Sequence, residues 1–185
     1  MIRLFAALNI PEEAKDKLIE VRNSVIPDSF FKWEASDKLH LTLKFIGDFP
    51  SDDVDQIKSE LMFLEDYSSL KSEFFNFGFF FRHNKPVILW VGMKIAGPIN
   101  EIVNEMNRRL EKFSIQRENR PFKPHLTLLR IKNDFDDNLV HRFKNFTFEP
   151  INFYSNSISL YKSELLKTES KYFEIKNYKL KKLEN

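Results

Sequence analysis

The feature that most constrains this chain is the segment His-Leu-Thr-Leu, which occurs twice, beginning at His40 and at His125. The two copies lie 85 positions apart in a chain of 185 residues. Threonine is scarce, so composition alone would place Leu-Thr-Leu after another of the four histidines with odds of about one in a thousand. The repeat therefore indicates a duplication, and its histidine and threonine call for a reason beyond packing.

The surroundings of the two segments repeat as well. Leu4 lies 36 residues before His40, and Leu89 lies 36 residues before His125. Apolar spacing predicts the same order in both halves: strand, helix, HLTL strand, helix, strand. We therefore expect a single domain over 1–185 with an internal duplication of about 1–82 and 86–163, followed by a closing strand at 171–180.

This order predicts an α+β fold of two pseudo-symmetric lobes. Each lobe is expected to be a mainly antiparallel sheet backed by helices, and the central cleft between them carries the two HxTx segments. Side chains alternate between the faces of a strand, so Leu41 and Leu43 should face the helices while His40 and Thr42 face the cleft. His125 and Thr127 follow the same rule in the second lobe.

A cleft with two imidazoles and two hydroxyls suits phosphate chemistry. Imidazoles titrate near pH 6.5, so one histidine can accept a proton while the other donates one. Threonine hydroxyls can donate hydrogen bonds to phosphate oxygens and stabilise the charge that develops there.

Composition limits the chemistry and the partners that this chain can have. The chain has no cysteine, which excludes disulfides and thiolate nucleophiles. A net charge of +2 neither requires nor excludes nucleic acid. The apolar stretch at the N-terminus ends at Pro11, too soon for a signal peptide or membrane span, so we expect a cytoplasmic protein without membrane contact.

The two motifs and their flanks resemble the 2H phosphoesterases, and within them the RNA 2′,3′-cyclic phosphodiesterases, also called 2′-5′ RNA ligases. The matching stretches are RLFAAL, the tryptophan before the first motif (Trp33), KFIGD, FKPHLTLLR and LYKSELLKTESKYFEI. In the last stretch, the region of Ser170 and Lys171 replaces a glycine often found before the tyrosine. The resemblance extends from about Arg3 to about Leu180.

The resemblance implies hydrolysis of a terminal 2′,3′-cyclic phosphate of RNA to a 2′-phosphomonoester. On that pattern His40 is the proton donor to the departing 3′ oxygen, and His125 is the proton acceptor for water. Thr42 and Thr127 bind the phosphate, and no metal or other cofactor is required. The expected partners are RNA ends or nucleotides bearing a 2′,3′-cyclic phosphate, bound by a monomer.

Two cations near the motifs leave alternatives open. Arg130 matches the family's arginine and would bind substrate, or else form a structural ion pair. Strict alternation places Arg130 on the core-facing side, like Phe45, so that it reaches the cleft only through a bulge or a twist. The same alternation places Lys44 on the cleft side, where it is either a ligand or a solvated lysine.

The remaining candidates are weaker. We expect His83 in an exposed turn and His141 on the surface of a short helix. Trp33 and some phenylalanines could stack on bases, although most phenylalanines should form the core.

Three rival functions remain. A metal hydrolase would need carboxylate partners that HxT does not supply. A non-catalytic nucleotide or RNA sensor would not need both histidines and both threonines. A 2′-5′ RNA ligase would use the same residues in the reverse direction.

Overall fold

The computed structural model describes residues 1–118, 121–131, 136–166 and 169–183. Within these ranges, no helix combines the length and the apolar character needed to cross a bilayer. The strands and α-helices, in chain order, are β1 (Ile2–Asn9), α1 (Glu12–Val25), β2 (His40–Phe49), α2 (Val54–Glu60), β3 (Leu70–Arg82), β4 (Lys85–Ile95), α3 (Ile99–Leu110), β5 (His125–Arg130), α4 (Asp137–Asn145), β6 (Ile151–Ser155), β7 (Ser157–Leu165) and β8 (Ser170–Lys179).

Local sequence explains where the helices begin. Pro11 precedes α1 with φ near −59°, and two glutamates occupy its first turn, where they complement the helix dipole. A 3₁₀ turn, Ser51–Asp53, precedes α2. Asp136 caps α4 by accepting a hydrogen bond from the backbone of Asn138 at 2.9 Å.

The strands form two four-stranded sheets, as the sequence predicted for an α+β fold of two lobes. Their strand orders are β2-β1-β7-β8 and β5-β4-β3-β6, and every neighbouring pair is antiparallel. Each HLTL strand is an edge strand of its sheet, and β2 and β5 lie next to each other. The short strand β6 was not predicted, because five residues give little periodicity to read.

The sheets do not follow the two halves of the sequence. Strand β3 belongs to the first half but pairs with β4 of the second, and β7 of the second half pairs with β1. Each half therefore supplies one strand to the sheet of the other half. The proposed boundaries of the duplication, about 1–82 and 86–163, remain a prediction about the sequence.

Strands β3 and β4 are joined by a two-residue turn. The turn residues His83 and Asn84 both have positive φ, at 49° and 61°, as in a two-residue turn that matches strand twist.

Gly78, on β3, lies directly opposite Trp90 on β4. A Cβ atom added at Gly78 would lie 2.2 Å from the Trp90 ring, closer than any two carbon atoms can pack without a bond.

We therefore predict that Gly78→Ala destabilises the protein by about 1–3 kcal/mol, the usual cost of overpacking. Chemical denaturation of the variant measures this loss. The control is the same substitution in a Trp90→Leu background, where the clash is absent and the penalty should shrink. An equal penalty in both backgrounds would show that the Trp90 ring is not the cause.

Candidate active site

The two HLTL segments have the same burial pattern over six residues. In both strands the histidine and threonine are half-buried, the leucines are buried, the fifth residue is buried as well, and the sixth is exposed. The doublet of buried residues breaks the alternation expected of a regular strand. The reason lies in the strand pairing.

Each strand carries a β-bulge at its second leucine. Ala6 pairs with Lys44 and Ala7 with Thr42, so Leu43 has no partner on β1. In the second sheet, Leu128 is likewise unpaired, between the partners of Leu89 and Trp90. An extra residue shifts the phase of the side chains by one, so positions after the bulge exchange faces.

The prediction that Lys44 faces the cleft is wrong, because the bulge at Leu43 turns it to the other face of β2. Its side chain does not face the cleft but is buried, with 1% exposure, and its Nζ donates to the carbonyl of Gln116 at 2.6 Å. Burial lowers the pKa of this amine. Phe45, predicted to face the core, is 65% exposed and lines the cleft.

Arg130 also lines the cleft, because the bulge at Leu128 turns it away from the core. The ion pair that the sequence left open is present, whereas binding of substrate by Arg130 stays a prediction. Arg130 borders the cleft, and its Nε donates to Oε1 of Glu34 at 3.1 Å. Phe45 and Arg130 occupy equivalent positions of the repeat, one aromatic and one cationic.

A cleft of about 890 Å³ lies between the two sheets. The structure brings both predicted pairs to it, His40 with Thr42 and His125 with Thr127. The expected common cleft is therefore present. Pockets of this size accommodate small ligands that combine apolar contacts with a few polar ones.

His40 lies among three aromatic rings. Phe5 and Tyr161 are nearly parallel to its imidazole, with centroids at 5.0 and 5.6 Å, and Tyr172 meets it edge-on at 5.3 Å. The Tyr161 hydroxyl donates to Oδ1 of Asn9 at 2.8 Å, which fixes that ring. Burial, and secondly the charge of Lys15, lower the pKa of His40 to about 4.

His125 is held by a backbone contact. Its Nδ1 lies 2.7 Å from the carbonyl oxygen of Lys123, and the ring of Phe80 meets it edge-on at 4.9 Å. A carbonyl oxygen can only accept, so Nδ1 carries the proton and Nε2 is the nitrogen left to accept one. The two histidines therefore have different surroundings despite their matching motifs.

Several residues that line the cleft form ion pairs. Besides Arg130 and Glu34, Arg3 pairs with Asp48 at 3.1 Å and Lys38 with Glu169 at 2.8 Å. The Lys38 ammonium lowers the pKa of the Glu169 carboxyl.

The weaker candidates lie away from the cleft. His83 is exposed in the β3–β4 turn, and His141 is exposed on α4, as predicted. Trp33 packs against Arg22 and the edge of Phe143 and is not among the residues that line the cleft, so it is not placed to stack on a base there. In the resembling C-terminal segment, Lys167 and Thr168 lie outside the described residues.

Sequence reasoning missed Phe45 and the rings around His40. A signal for Phe45 was available, because its counterpart 85 residues later is Arg130, which would be costly to bury. No comparable signal marks Tyr161 or Tyr172, which come from distant strands. Among the residues described, no group of three His, Cys, Asp or Glu side chains is arranged to hold a metal ion.

Comparison with known proteins supports the resemblance. The sequence matches the family described as LigT like Phosphoesterase at residues 8–90 and again at 91–172. Curated relatives from bacteria and archaea are named RNA 2′,3′-cyclic phosphodiesterase. The one from Thermotoga maritima is 25% identical over 169 residues, covering 90% of this chain and 89% of the relative.

Solved structures share the fold. TT0787 of Thermus thermophilus superposes with a TM-score of 0.80 at 22% identity, covering 98% of this chain and 99% of the other. Escherichia coli LigT complexed with 3′-AMP gives a TM-score of 0.76 at 23% identity, covering 97% and 98%. The double family match and the paired His/Thr motifs in one cleft show that this chain belongs to the LigT-like phosphoesterase family of the 2H superfamily.

Proposed function

We propose that this protein hydrolyses a terminal 2′,3′-cyclic phosphate of RNA to a 2′-phosphomonoester without a metal ion. The observation that carries the proposal is the meeting of both His/Thr pairs in one cleft of about 890 Å³. The name shared by the curated relatives supports the substrate class. The 3′-AMP bound to the E. coli structure supports a nucleotide ligand.

In the proposed reaction, Nε2 of His125 accepts a proton from water. The water oxygen attacks phosphorus, the bond from phosphorus to the 3′ oxygen breaks, and His40 gives its proton to that oxygen. Thr42, Thr127 and Arg130 donate hydrogen bonds to the phosphate oxygens that do not react. The proton fixed on Nδ1 of His125 supports its role as the acceptor.

The acid role of His40 requires that its pKa rise when substrate binds. With a pKa of about 4, its imidazole is neutral at pH 7 in the free protein. A bound phosphate anion favours the protonated form and raises the pKa. The faces of Phe5 and Tyr161 also favour the cationic ring, because aromatic faces attract cations.

Phe45 provides the surface next to the phosphate. Its ring is 65% exposed and lies 6.2 Å from Phe5, which stacks on His40. A base attached to the reacting ribose could stack on this ring, as bases do on exposed aromatic side chains in proteins that bind single strands.

The first test is turnover of an RNA oligomer ending in a 2′,3′-cyclic phosphate with EDTA present. We expect conversion to a 2′-phosphate, and a loss of about 10²- to 10⁴-fold in His40→Ala and in His125→Ala. The position of the phosphate in the product is mapped. Binding without turnover by the wild type would instead favour the sensor, and a 2′-5′-linked product would favour the ligase.

Another prediction concerns the effect of pH on stability. An unfolded histidine takes up a proton near pH 6.5, whereas folded His40 does so only near pH 4. Between these values the unfolded state binds more protons, so the free energy of unfolding should fall as pH decreases from 6.5 to 4. Denaturation across this window should show a smaller decrease in His40→Gln, which lacks the ionisable group.

Binding of a phosphate ligand should raise the lowered pKa of His40. In a titration followed by NMR, with His40→Gln used to assign the signal, saturation with adenosine 2′-phosphate should raise the pKa of His40 above its value in the free protein. A pKa that does not rise would contradict the acid role of His40.

A further prediction concerns base stacking on Phe45. Phe45→Ala should raise KM for a cyclic-phosphate dinucleotide by roughly 5- to 150-fold, since stacking on one base contributes about 1–3 kcal/mol. Phe45→Trp should retain the wild-type KM. Phe81→Ala is the matched control, because Phe81 is 47% exposed and does not line the cleft. Equal effects at both positions would exclude a specific stacking role.

A further inference from the structure

Glu34 lies in the cleft beside Arg130. Its carboxylate lines the cleft and accepts the hydrogen bond from Nε of Arg130. Its backbone N–H donates to the carbonyl oxygen of Leu128 at 2.9 Å. Leu128 is the bulged residue of β5, so the bulge that turns Arg130 to the cleft also fixes Glu34 beside it.

The contact leaves part of the guanidinium available. Glu34 takes up Nε, while an arginine has four further N–H donors on its two terminal nitrogens. The Arg130 side chain is 57% exposed and that of Glu34 is 21% exposed. A phosphate held by the terminal nitrogens of Arg130 would therefore be separated from the Glu34 carboxylate only by the width of the guanidinium.

The proposed substrate and product differ in charge. A cyclic phosphate is a diester with one negative charge, whereas a phosphomonoester has a second pKa near 6 and is mostly a dianion at pH 7.5. Repulsion from a nearby carboxylate grows with the charge of the bound phosphate. Glu34 therefore opposes the product more than the substrate.

We infer that Glu34 is a specificity residue, which keeps Arg130 in place and weakens binding of a dianionic phosphomonoester relative to a monoanionic diester. This inference rests on the proposed function. Its consequence for the reaction is faster release of the 2′-phosphate. Two further carboxylates, Asp48 and Glu169, pair with Arg3 and Lys38 instead, and Glu118 also lines the cleft.

Glu34→Gln separates charge from contact. The Oε1 of glutamine can still accept from Nε of Arg130, so the arginine keeps its hydrogen bond while the negative charge is lost. Glu73→Gln is the matched control. It removes one charge from an ion pair, with Lys94 at 2.8 Å, and Glu73 does not line the cleft.

The experiment measures two dissociation constants by calorimetry at pH 7.5. One probe is adenosine 2′-phosphate, a dianion, and the other is its acyclic methyl ester, a monoanion. We expect Glu34→Gln to tighten binding of the phosphate relative to the ester by roughly three- to tenfold, the scale of one partly screened charge. Glu73→Gln should leave the ratio unchanged.

An unchanged ratio in Glu34→Gln, or an equal change in both variants, would overturn the inference. If Glu34 had a purely structural role, its substitution would weaken binding of both probes alike and leave the ratio of their dissociation constants as in the wild type. Neither probe requires turnover. A failure here therefore differs from a failure of the proposed function, which the cyclic-phosphate assay alone reports.

Discussion

The set of side chains that line the cleft depends on a pair of equivalent β-bulges, one in each HLTL strand. An unbroken strand would continue the alternation begun by histidine and threonine, with Lys44 facing the cleft and Phe45 and Arg130 facing the core. The unpaired leucines, Leu43 and Leu128, reverse this order. In each strand the bulge thus buries the residue after the motif, Lys44 or Leu129, and brings the next residue to the cleft.

The repeat is symmetric in backbone but not in chemistry. The residues exposed by the two bulges are an aromatic ring in one lobe and a guanidinium in the other. The histidines differ in the same way. His40 is enclosed by aromatic rings, and this burial lowers its pKa, whereas the tautomer of His125 is set by a backbone carbonyl. Different neighbours around two identical side chains are what the proposed acid and base roles require.

Exchange of strands makes the two lobes depend on each other. Strand β7, from the second half, lies beside β1 and supplies Tyr161 to the surroundings of His40. Strand β3, from the first half, supplies Phe80 to the surroundings of His125. Neither histidine therefore has its full environment within its own half of the sequence.

The sequence by itself determined the repeat, the α+β class with two lobes, the order of most elements and the two His/Thr pairs. These features follow from local periodicity and from a motif that occurs twice. Only the tertiary structure decided the faces of Lys44, Phe45 and Arg130, because a bulge depends on pairing with a neighbouring strand. It also decided the rings around His40 and the contact between Glu34 and Arg130, since their partners are distant in sequence and meet only when the sheets assemble.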